Sequence, residues 1–409
     1  MAKRTPALGF ILITVLLDVI GIGIIIPIFP DLLKEIGDLS TGEAARVGNL
    51  LVTAYALMQF IFAPILGGIS DQYGRRAVLL IALVGFTIDY LFLALAPTIA
   101  LFFVGRLFAG ICGASFTTAS AYIADVSPAE KRAQNFGLLG AVFGLGFIIG
   151  PLIGGFLGGI DVRTPFYFAA GITFLNFLYG LFILPESLPK ENRRAFSWKR
   201  ANPIGSLGKL KKNETILGLA SALFFVYIAA HAVQSNWSYF GDEVLDWGPR
   251  DIGISLTVVG VLVALVQAVL IRFVTKKLGS VKTIYLGLVF NSLGLALFAI
   301  STEVWMIYSF LVVYVLGGLA GPTIQGIISS QVPNSEQGEL QGGLTSLVSL
   351  TSIFGPLIMG FVFFYYTETS EVYFPGASFA LGAFLSIICI VLSYRTLRNY
   401  QEPLAVNEK

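Results

Sequence analysis

The chain is organised around a ten-residue polar stretch, Gly67-Gly68-Ile69-Ser70-Asp71-Gln72-Tyr73-Gly74-Arg75-Arg76. Long apolar runs lie on both sides of it, which is the pattern of a short loop that joins two membrane helices. The stretch combines one carboxylate, three glycines and two arginines in a chain that is otherwise poor in charge. It is either a plain connecting loop or a loop with a specific structural role, and other parts of the sequence help to decide between the two.

Composition places the chain in the membrane class. Of its 409 residues, 56% are hydrophobic and 12% are charged, whereas about 25% are charged in a typical soluble domain. The mean hydropathy is +0.82, and the net charge of +2 is too small to favour nucleic-acid binding. Cys112 and Cys389 both fall inside apolar runs, so a structural disulfide is not expected. The first apolar run is too long for the core of a signal peptide and contains Asp18, so we expect it to be retained as a membrane helix.

Apolar runs of about 20 residues predict twelve membrane helices, α1 to α12, and hence an all-α membrane protein. The first six runs are 8–28, 47–69, 77–96, 98–121, 135–158 and 164–184. The second six are 214–240, 252–274, 281–300, 303–328, 339–366 and 376–396. The predicted organisation is an N-terminal bundle (1–184), a cytoplasmic linker (185–213), a C-terminal bundle (214–396) and a cytoplasmic tail (397–409).

Basic residues predict which side of the membrane each loop occupies. If the amino terminus is cytoplasmic, most of the 26 lysines and arginines fall in inner segments, from Lys3 and Arg4 onward. The outer loops then hold only Lys34, Arg46, Arg163 and Arg250. The positive-inside rule therefore predicts that both termini and the linker are cytoplasmic. We expect the basic linker to be solvated and to lie near anionic lipid headgroups.

An internal repeat relates the two sets of helices. A single shift of 205 residues places five glycines and prolines of the first half on identical residues of the second half. The pairs are Gly74/Gly279, Gly113/Gly318, Gly137/Gly342, Gly150/Gly355 and Pro151/Pro356. One shift that holds across a loop and two helices indicates a duplicated six-helix unit. Parallel repeats of this kind are found in transporters, where the substrate cavity lies at the midplane between the halves.

The polar loop follows the pattern G-x-x-[SA]-D-x-x-G-R-[RK], with Gln72 at a position that is usually basic. In this it resembles the signature loop of the major facilitator superfamily, where the loop closes the cytoplasmic side of the outward-facing state. We expect Asp71 to end α2 and to reach the amino end of a neighbouring helix, whose dipole favours an anion. Gly67 would permit close helix approach, and Gly74 would permit a tight turn.

The arginines of the loop admit two interpretations. A plain basic loop that obeys the positive-inside rule explains Arg75 and Arg76, but it does not explain the Asp-x-x-Gly spacing. In the family interpretation the two arginines anchor α3 at the cytoplasmic face, and Asp125 joins their charge network. The copy that ends at Gly279 keeps basic residues but has no acid, so we expect an asymmetric gate.

The helix α5 carries a second pattern of small residues. Its members are Gly140, Gly144, Gly146, Gly150, Pro151, Gly154 and Gly155. The pattern resembles the G-x-x-x-G-P-x-x-G-G signature of the drug:proton antiporters of the same superfamily. Small residues four apart let helices pack backbone to backbone, and Pro151 bends or weakens the helix. A nucleotide loop is disfavoured because no strand precedes these glycines, and a pure packing role is the open alternative.

Three ionisable residues lie inside predicted spans, where such residues are costly and are therefore functional candidates. Asp18 lies near the middle of α1, Asp89 past the middle of α3, and Arg106 in the outer half of α4. Burial favours a protonated carboxyl and a nearby arginine favours an ionised one, so a balanced site can bind and release a proton. The alternative is a static ion pair that locks helix packing. The sequence does not rank Asp18 against Asp89.

Other polar residues inside the spans are candidates for the wall of a cavity. His231, the only histidine, is either a proton relay or a hydrogen-bonding residue of that wall. The remaining candidates, chosen by polarity alone, are Tyr55, Gln59, Asn176, Gln234, Asn291 and Gln325.

Stretches along nearly the whole chain are similar to the tetracycline-efflux branch of the antiporters. The most similar are 17–23, 55–64, 87–90 and 340–344, together with the loop and the α5 pattern. The resemblance implies the major facilitator fold of two pseudo-symmetric six-helix bundles, and export of a drug-like molecule in exchange for protons. It assigns proton coupling to Asp18, Asp89 and Arg106. The branch carries a further acid in α9, where this chain has the neutral Asn291, so the resemblance does not extend to binding of a cationic metal–tetracycline chelate.

The leading hypothesis is thus a proton-coupled efflux antiporter in the bacterial cytoplasmic membrane. Its expected partners are a small-molecule substrate, protons and membrane lipid, and we expect a monomer without cofactor or metal. A proton symporter or facilitator for a sugar, peptide or other metabolite is the main alternative, and the α5 pattern disfavours it. A receptor or scaffold on a transporter fold is less consistent with the intact loop. An enzyme is disfavoured because no nucleophile triad, metal cluster or nucleotide loop is evident in the sequence.

Overall fold

A computed structural model describes residues 5–128, 131–198, 205–333, 336–398 and 400. Within these ranges, eleven helical stretches are long and apolar enough to cross a membrane. One of them, Pro249–Ala299, has 51 residues and is interrupted by the non-helical backbone of Gly279, so it comprises two spans. The predicted twelve-helix fold is therefore confirmed. The predictions for Lys3, Arg4 and the end of the tail (401–409) lie outside the described residues.

The first six helices are α1 (Thr5–Ile25, Ile26–Ile28 and Phe29–Gly37), α2 (Thr41–Tyr73), α3 (Arg75–Leu95), α4 (Ile99–Gly113 and Phe116–Val126), α5 (Arg132–Gly158) and α6 (Thr164–Ile183). The second six are α7 (Glu214–Leu245), α8 (Pro249–Leu265, Val266–Leu270 and 271–278), α9 (280–299), α10 (Val304–Leu316, Gly317–Leu319 and Ala320–Ser330), α11 (Gln337–Phe364 and Tyr365–Thr369) and α12 (Ala377–Leu397).

Several helices extend beyond the apolar runs that predicted them. The helix α2 begins at Thr41 because Ser40 and Glu43 form a capping box, in which Glu43 N donates to Ser40 Oγ (3.2 Å) and Ser40 N donates to Glu43 Oε2 (3.1 Å). Asn213 caps α7 by accepting from the backbone N of Thr215 at 2.7 Å. These helices thus continue past the apolar layer through polar residues, so hydropathy alone underestimates their lengths.

The two halves share their irregularities as well as their helices. Gly74 has φ 105° and ψ 154°, and its counterpart Gly279 has φ 77° and ψ 167°. These positive φ angles favour glycine at both places. The helix α4 breaks after Gly113, and α10 passes through a short 3₁₀ segment that includes the counterpart Gly318. The repeat predicted from the sequence is therefore visible in the backbone.

Among the described residues, the contacts between the halves lie toward one end. We call the end that bears Arg75 and Lys277 the basic end, and the other the opposite end. At the opposite end α5 packs on α8, with the Gly155 and Gly253 backbones in contact, and Thr53 of α2 donates to the Ile353 carbonyl of α11 at 3.2 Å. At the basic end of α5, a methyl group added at Gly137, Gly140 or Gly144 would meet no described atom within 4 Å. The fold is closed at the opposite end and open at the basic end.

Candidate functional site

The polar loop turns sharply at Gly74. The backbone N of Gly74 donates to the Ser70 carbonyl at 3.0 Å, which ends α2, and the positive φ then directs the chain into α3. A Cβ atom at this position would also collide with the carboxylate of Glu186. The positive φ favours glycine here, and a larger side chain would in addition displace the Glu186 carboxylate.

Arg75 is the centre of a charge network at the basic end, and only 8% of it is exposed. Its Nη1 lies 2.5 Å from Asp71 Oδ1 and donates to Ser70 Oγ at 2.6 Å. Its Nε donates to Asp125 Oδ2 at 3.3 Å. The structure thus brings together the loop acid, the loop arginine and the acid at the end of α4. Two carboxylates around one guanidinium give the cluster a net negative charge.

The acid at the amino end of α3 is Glu186, whereas the expectation that Asp71 reaches the amino end of a neighbouring helix stays a prediction. Glu186 Oε1 accepts from the backbone N of Arg75 at 2.9 Å, and its Oε2 accepts from that of Arg76 at 3.3 Å. Asp71 lies in the last turn of α2, four residues before Arg75, and that spacing pairs it with Arg75 along the helix. The signal for Glu186 was an acid that follows α6 directly, in a segment interpreted as linker.

Replacing Glu186 by glutamine should lower the thermal stability of the basic end. The change removes a negative charge from the amino end of α3, an interaction of about 1 kcal/mol. Thermal unfolding of purified protein in detergent measures it, with Glu191→Gln, an exposed acid of the same linker, as the control. Equal unfolding temperatures for the two variants would show that Glu186 does not stabilise the helix.

Part of the linker docks on the loop, while most of the described residues between 185 and 198 are exposed. The backbone N of Arg194 donates to the Asp71 carbonyl at 3.0 Å, and that of Phe196 donates to Gln72 Oε1 at 2.9 Å. The Phe196 ring packs against Gly68, where a Cβ would lie 2.9 Å from the ring. Gln72, which replaces the usual basic residue, is thus a linker-binding side chain. Lys199 and Arg200 lie outside the described residues.

Asp89 and Arg106 form an ion pair inside the first half. Arg106 Nη2 lies 2.7 Å from Asp89 Oδ2, and only 1% of Asp89 is exposed. Asp89 Oδ1 and Arg106 Nε are buried and have no hydrogen-bond partner among the described residues. The pair is neutral overall, so each partner offsets much of the cost of burying the other.

Asp18 is the carboxylate of this region that remains unpaired. It is half-buried, and no described residue forms an ion pair or hydrogen bond with it. Asp18, Asp89 and Arg106 all lie close enough to the hydroxyls of Tyr55 and Tyr90 to act on them electrostatically. The structure therefore gathers the three predicted charges in one cluster but gives them unequal environments.

The candidate cavity residues separate into two groups. Tyr55 packs against Gly110 and Gly113 of α4, and Gln59 Nε2 donates to the Gly113 carbonyl at 3.2 Å. In the second half Gln325 Nε2 donates to the Tyr227 hydroxyl at 2.6 Å. These residues lie beside the breaks in α4 and α10, and Gln234 is exposed on α7.

Asn176 and Asn291 form the other group, because each is used in packing within one half. Thr14 Oγ1 donates to Asn176 Oδ1 at 3.3 Å, between α1 and α6. Asn291 Nδ2 donates to Ser386 Oγ of α12 at 2.8 Å, and Asn291 packs against Gly317 of α10. Both side chains thus take part in contacts between helices of one half, and their assignment to a cavity stays a prediction. Polarity inside an apolar span does not distinguish a cavity from a contact between helices.

His231 is also held in packing. It is 8% exposed, and its ring lies against Gly355 of α11. No described residue forms a hydrogen bond with it. This placement supports a wall residue between α7 and α11 rather than a relay, because a relay needs hydrogen-bonded neighbours.

The α5 pattern divides into a packed part and an open part. Gly150 contacts Gly23 and the Ile20 carbonyl of α1, and Gly154 contacts the Ile24 carbonyl. Gly146 packs against Val19. Pro151 lies inside the helix, and its carbonyl is within van der Waals contact of Gly253 of α8. The antiporter-like signature is thus a three-helix seam of α5 with α1 and α8.

Polar contacts close the opposite end. Lys34 Nζ lies 2.8 and 2.7 Å from the two carboxylate oxygens of Asp242, and Thr41 Oγ1 donates to the same carboxylate at 2.9 Å. Deeper in the interface, Asn49 Nδ2 donates to Asn236 Oδ1 at 2.9 Å. All five residues take part in contacts that join one half to the other.

Two related six-helix bundles, closed around buried charges at one end, define a membrane transporter of the alternating-access class. The chain belongs to the Major Facilitator Superfamily, whose sequence model matches residues 11–241 and 219–408.

Relatives with similar sequences cover almost the entire chain. The tetracycline resistance protein of class C from Escherichia coli is 39% identical over 95% of this chain and 96% of its own length. The class B protein of Escherichia coli is 36% identical over 86% of this chain and 87% of its own length. Among solved structures, a bacterial homologue of the human lysosomal transporter Spinster, in an inward-facing and unoccupied conformation, has a TM-score of 0.80 at 15% identity, covering 97% of this chain and 98% of that one.

Proposed function

We propose that this chain is a proton-coupled antiporter that exports a small, amphipathic, drug-like molecule. The curated relatives of 35–39% identity are tetracycline resistance proteins, and their extent over this chain makes tetracycline the first cargo to test. The observation that carries the proposal is the unpaired carboxylate of Asp18, which lies beside a neutral Asp89–Arg106 pair. Each chain holds both halves of the fold, so a monomer suffices as the transporting unit.

The basic end is the cytoplasmic end in this proposal. The excess of lysine and arginine there supports that orientation through the positive-inside rule, with both termini and the 185–213 linker in the cytoplasm. The membrane is the bacterial cytoplasmic membrane, as the bacterial sources of the relatives suggest. The bundles 1–184 and 214–396 are the two bodies that rock against each other, and lipid surrounds them.

Asp18 is the proton carrier, and Asp89 and Arg106 keep its surroundings neutral. A lone ionised carboxylate inside a membrane is costly, so Asp18 needs either a proton or a cation whenever the cavity is closed. A proton taken up from outside neutralises Asp18. Release of that proton to the cytoplasm leaves a carboxylate that can bind a cationic or polar cargo. Asp89 differs from Asp18 because it is paired with Arg106 at 2.7 Å, so in this proposal it stays in that pair while Asp18 exchanges the proton.

In this proposal the two ends of the transporter close alternately during transport, and the loop residues close the basic end. In the structure, α2 faces α11 through a stripe that includes Arg46, whose guanidinium lies 4.1 Å from the Phe364 ring, and Thr53. Gly67 and Asp71 follow Thr53 by about four and five helical turns, so they continue the same stripe toward the basic end. Closure of the cytoplasmic side brings α11 onto Gly67 and Asp71 while the opposite end opens.

Replacing Asp242 by asparagine should shift the protein toward the outward-facing state. The change removes the charge that binds Lys34 across the halves, a partly exposed pair that contributes up to about 1 kcal/mol. The shift is measured as the distance between two spin labels or fluorophores, one on α2 and one on α11, both placed at the opposite end of the fold. Glu243→Gln is the matched control, because Glu243 contacts Tyr373 within its own half. An unchanged distance distribution in Asp242→Asn would show that the pair is not part of the closure.

The function is tested with purified protein in liposomes that carry an imposed pH gradient. Tetracycline, with and without Mg²⁺, a cationic dye and a sugar are offered in parallel while internal pH and cargo are recorded together. We expect accumulation of a drug-like cargo coupled to opposite proton movement. Sugar uptake together with protons, or cargo movement that ignores the gradient, would overturn the proposal.

A further inference from the structure

Gln267 is a polar side chain at membrane depth that the charged cluster of the first half does not involve. It belongs to the segment Val266–Leu270, where α8 widens into a π-helix. Such turns are rare, and they occur frequently at functional sites. Gln267 is exposed, and no hydrogen bond joins it to a described residue. An exposed amide inside the apolar layer is costly unless it faces water or cargo rather than lipid.

The direction of Gln267 follows from the contacts of α8 nearer the opposite end. Gly253 packs against Gly155 of α5, Thr257 Oγ1 lies 3.3 Å from the Ile148 carbonyl, and Gly260 packs against the Ile148 side chain. Positions 253, 257, 260, 264 and 267 recur at intervals of three and four, so they form one stripe that faces the first half. Leu265 and Val269, on the other side of the helix, are 55% and 50% exposed and face lipid.

Open space lies on the α5 side of Gln267. The helices α5 and α8 run antiparallel, so the residues that oppose Gln267 lie about two turns before Ile148. Gly140 and Gly144 occupy that part of α5, and a methyl group at either would meet no described atom within 4 Å. Gln267 therefore faces the space between the halves.

The helix α10 adds a second irregular segment beside the π-helix. A methyl group at Gly318, in the 3₁₀ segment Gly317–Leu319, would lie 4.0 Å from Gln267 Nε2. Gly321 and Gln325 follow Gly318 at positions i+3 and i+7 on the same face of the helix, and Gly321 also faces open space. This face of α10 thus carries two glycines and Gln325, with the Gln267 amide of α8 next to Gly318 and the Tyr227 hydroxyl of α7 bound to Gln325.

We propose that Gln267, with Gln325 and Tyr227, forms a cargo subsite in the second half that binds neutral hydrogen-bonding groups such as carbonyls, hydroxyls and amides. An amide side chain offers both donors and an acceptor for such groups. The sequence has no aspartate or glutamate in 215–241, 252–302, 304–335 or 340–367, so this wall offers no counter-charge to a cation. The subsite rests on the proposed function. It implies that the first half binds charged groups of the cargo and that the second half binds its neutral hydrogen-bonding groups.

Accessibility of position 267 is the first test. In inverted membrane vesicles, Gln267→Cys should react with a membrane-impermeant sulfonated maleimide, and tetracycline should slow the reaction. Val269→Cys, two residues away in the same π-helix, should not react. The native Cys112 and Cys389 are buried, and the unchanged chain measures their background. Equal labelling of the two variants, or labelling that tetracycline leaves unaltered, would overturn the subsite.

Transport kinetics give a second, independent test. Gln267→Leu should raise the KM for tetracycline about three- to ten-fold, the usual scale of one lost hydrogen bond, with little change in the maximal rate. A cationic dye that lacks carbonyl and hydroxyl groups should show no such change. If Asp18→Asn stops exchange while Gln267→Leu leaves the tetracycline KM unaltered, the proposed function stands and the subsite fails. If wild-type protein shows no proton-coupled exchange, the proposed function itself fails.

Discussion

Replacing Asp18 by asparagine should abolish proton-driven exchange while cargo can still bind. Asparagine has nearly the shape of aspartate but can neither take up nor release a proton in this range. Because Asp18 has no described partner, the change breaks no ion pair, and the protein should fold and unfold as before. Cargo accumulation driven by a pH gradient in liposomes should fall to the level of protein-free vesicles. Exchange of labelled for unlabelled cargo, which needs no net proton movement, should persist.

Asp18→Glu is the matched variant, because it keeps the carboxyl but moves it by one methylene. It should retain part of the gradient-driven transport, whereas the asparagine variant retains none. If Asp18→Asn accumulates cargo at the rate of the unchanged protein, the proton is carried elsewhere. Loss of both gradient-driven transport and cargo exchange would instead indicate that Asp18 serves cargo binding alone.

Replacing Asp89 by asparagine should damage the protein in a different way. The change leaves Arg106 buried without its counter-charge, which costs on the order of 3–5 kcal/mol. The uncompensated guanidinium also leaves a net positive charge in the cluster that contains Asp18, which opposes the arrival of a proton there. We therefore expect both lower stability and loss of coupled transport in the single variant.

The double variant Asp89→Asn with Arg106→Gln separates the two roles. Two neutral amides can hydrogen-bond in place of the ion pair, so stability should recover most of the loss, as a double-mutant cycle on unfolding measures. Asp18 then regains a neutral surrounding, and proton-coupled transport should return in part. A double variant that is stable but wholly uncoupled would identify Asp89 as a proton carrier in its own right, because arginine does not release its proton in proteins.

The helices and the repeat could be predicted because their signals are local. An apolar run must span the lipid, and a glycine such as Gly74 or Gly279 is needed where the backbone adopts a positive φ. The ionisable residues Asp18, Asp89 and Arg106 were evident because burial of charge is costly wherever it occurs. The resemblance to the superfamily rested on the same loop and glycine residues.

Partners and directions could not be predicted from the same information. Which acid meets Arg106 depends on the relative rotation of α1, α3 and α4, so the sequence left Asp18 and Asp89 equivalent. Glu186 lies 111 residues from Arg75 along the chain, and no periodicity links them. Asn291 and Gln267 are both amides inside apolar runs, yet one packs against Ser386 and the other faces open space. Hydropathy records that a residue is polar but not which side of the helix its side chain is on.

The most direct test of the account is to observe the carboxyl proton itself. Infrared difference spectra of the protein in lipid, recorded as tetracycline is added, report the carbonyl stretch of protonated carboxyl groups. We expect that tetracycline removes such a band in the unchanged protein, that Asp18→Asn lacks this change, and that the Asp89→Asn/Arg106→Gln double variant retains it. A band that disappears equally in Asp18→Asn would contradict the assignment of Asp18 as the proton carrier.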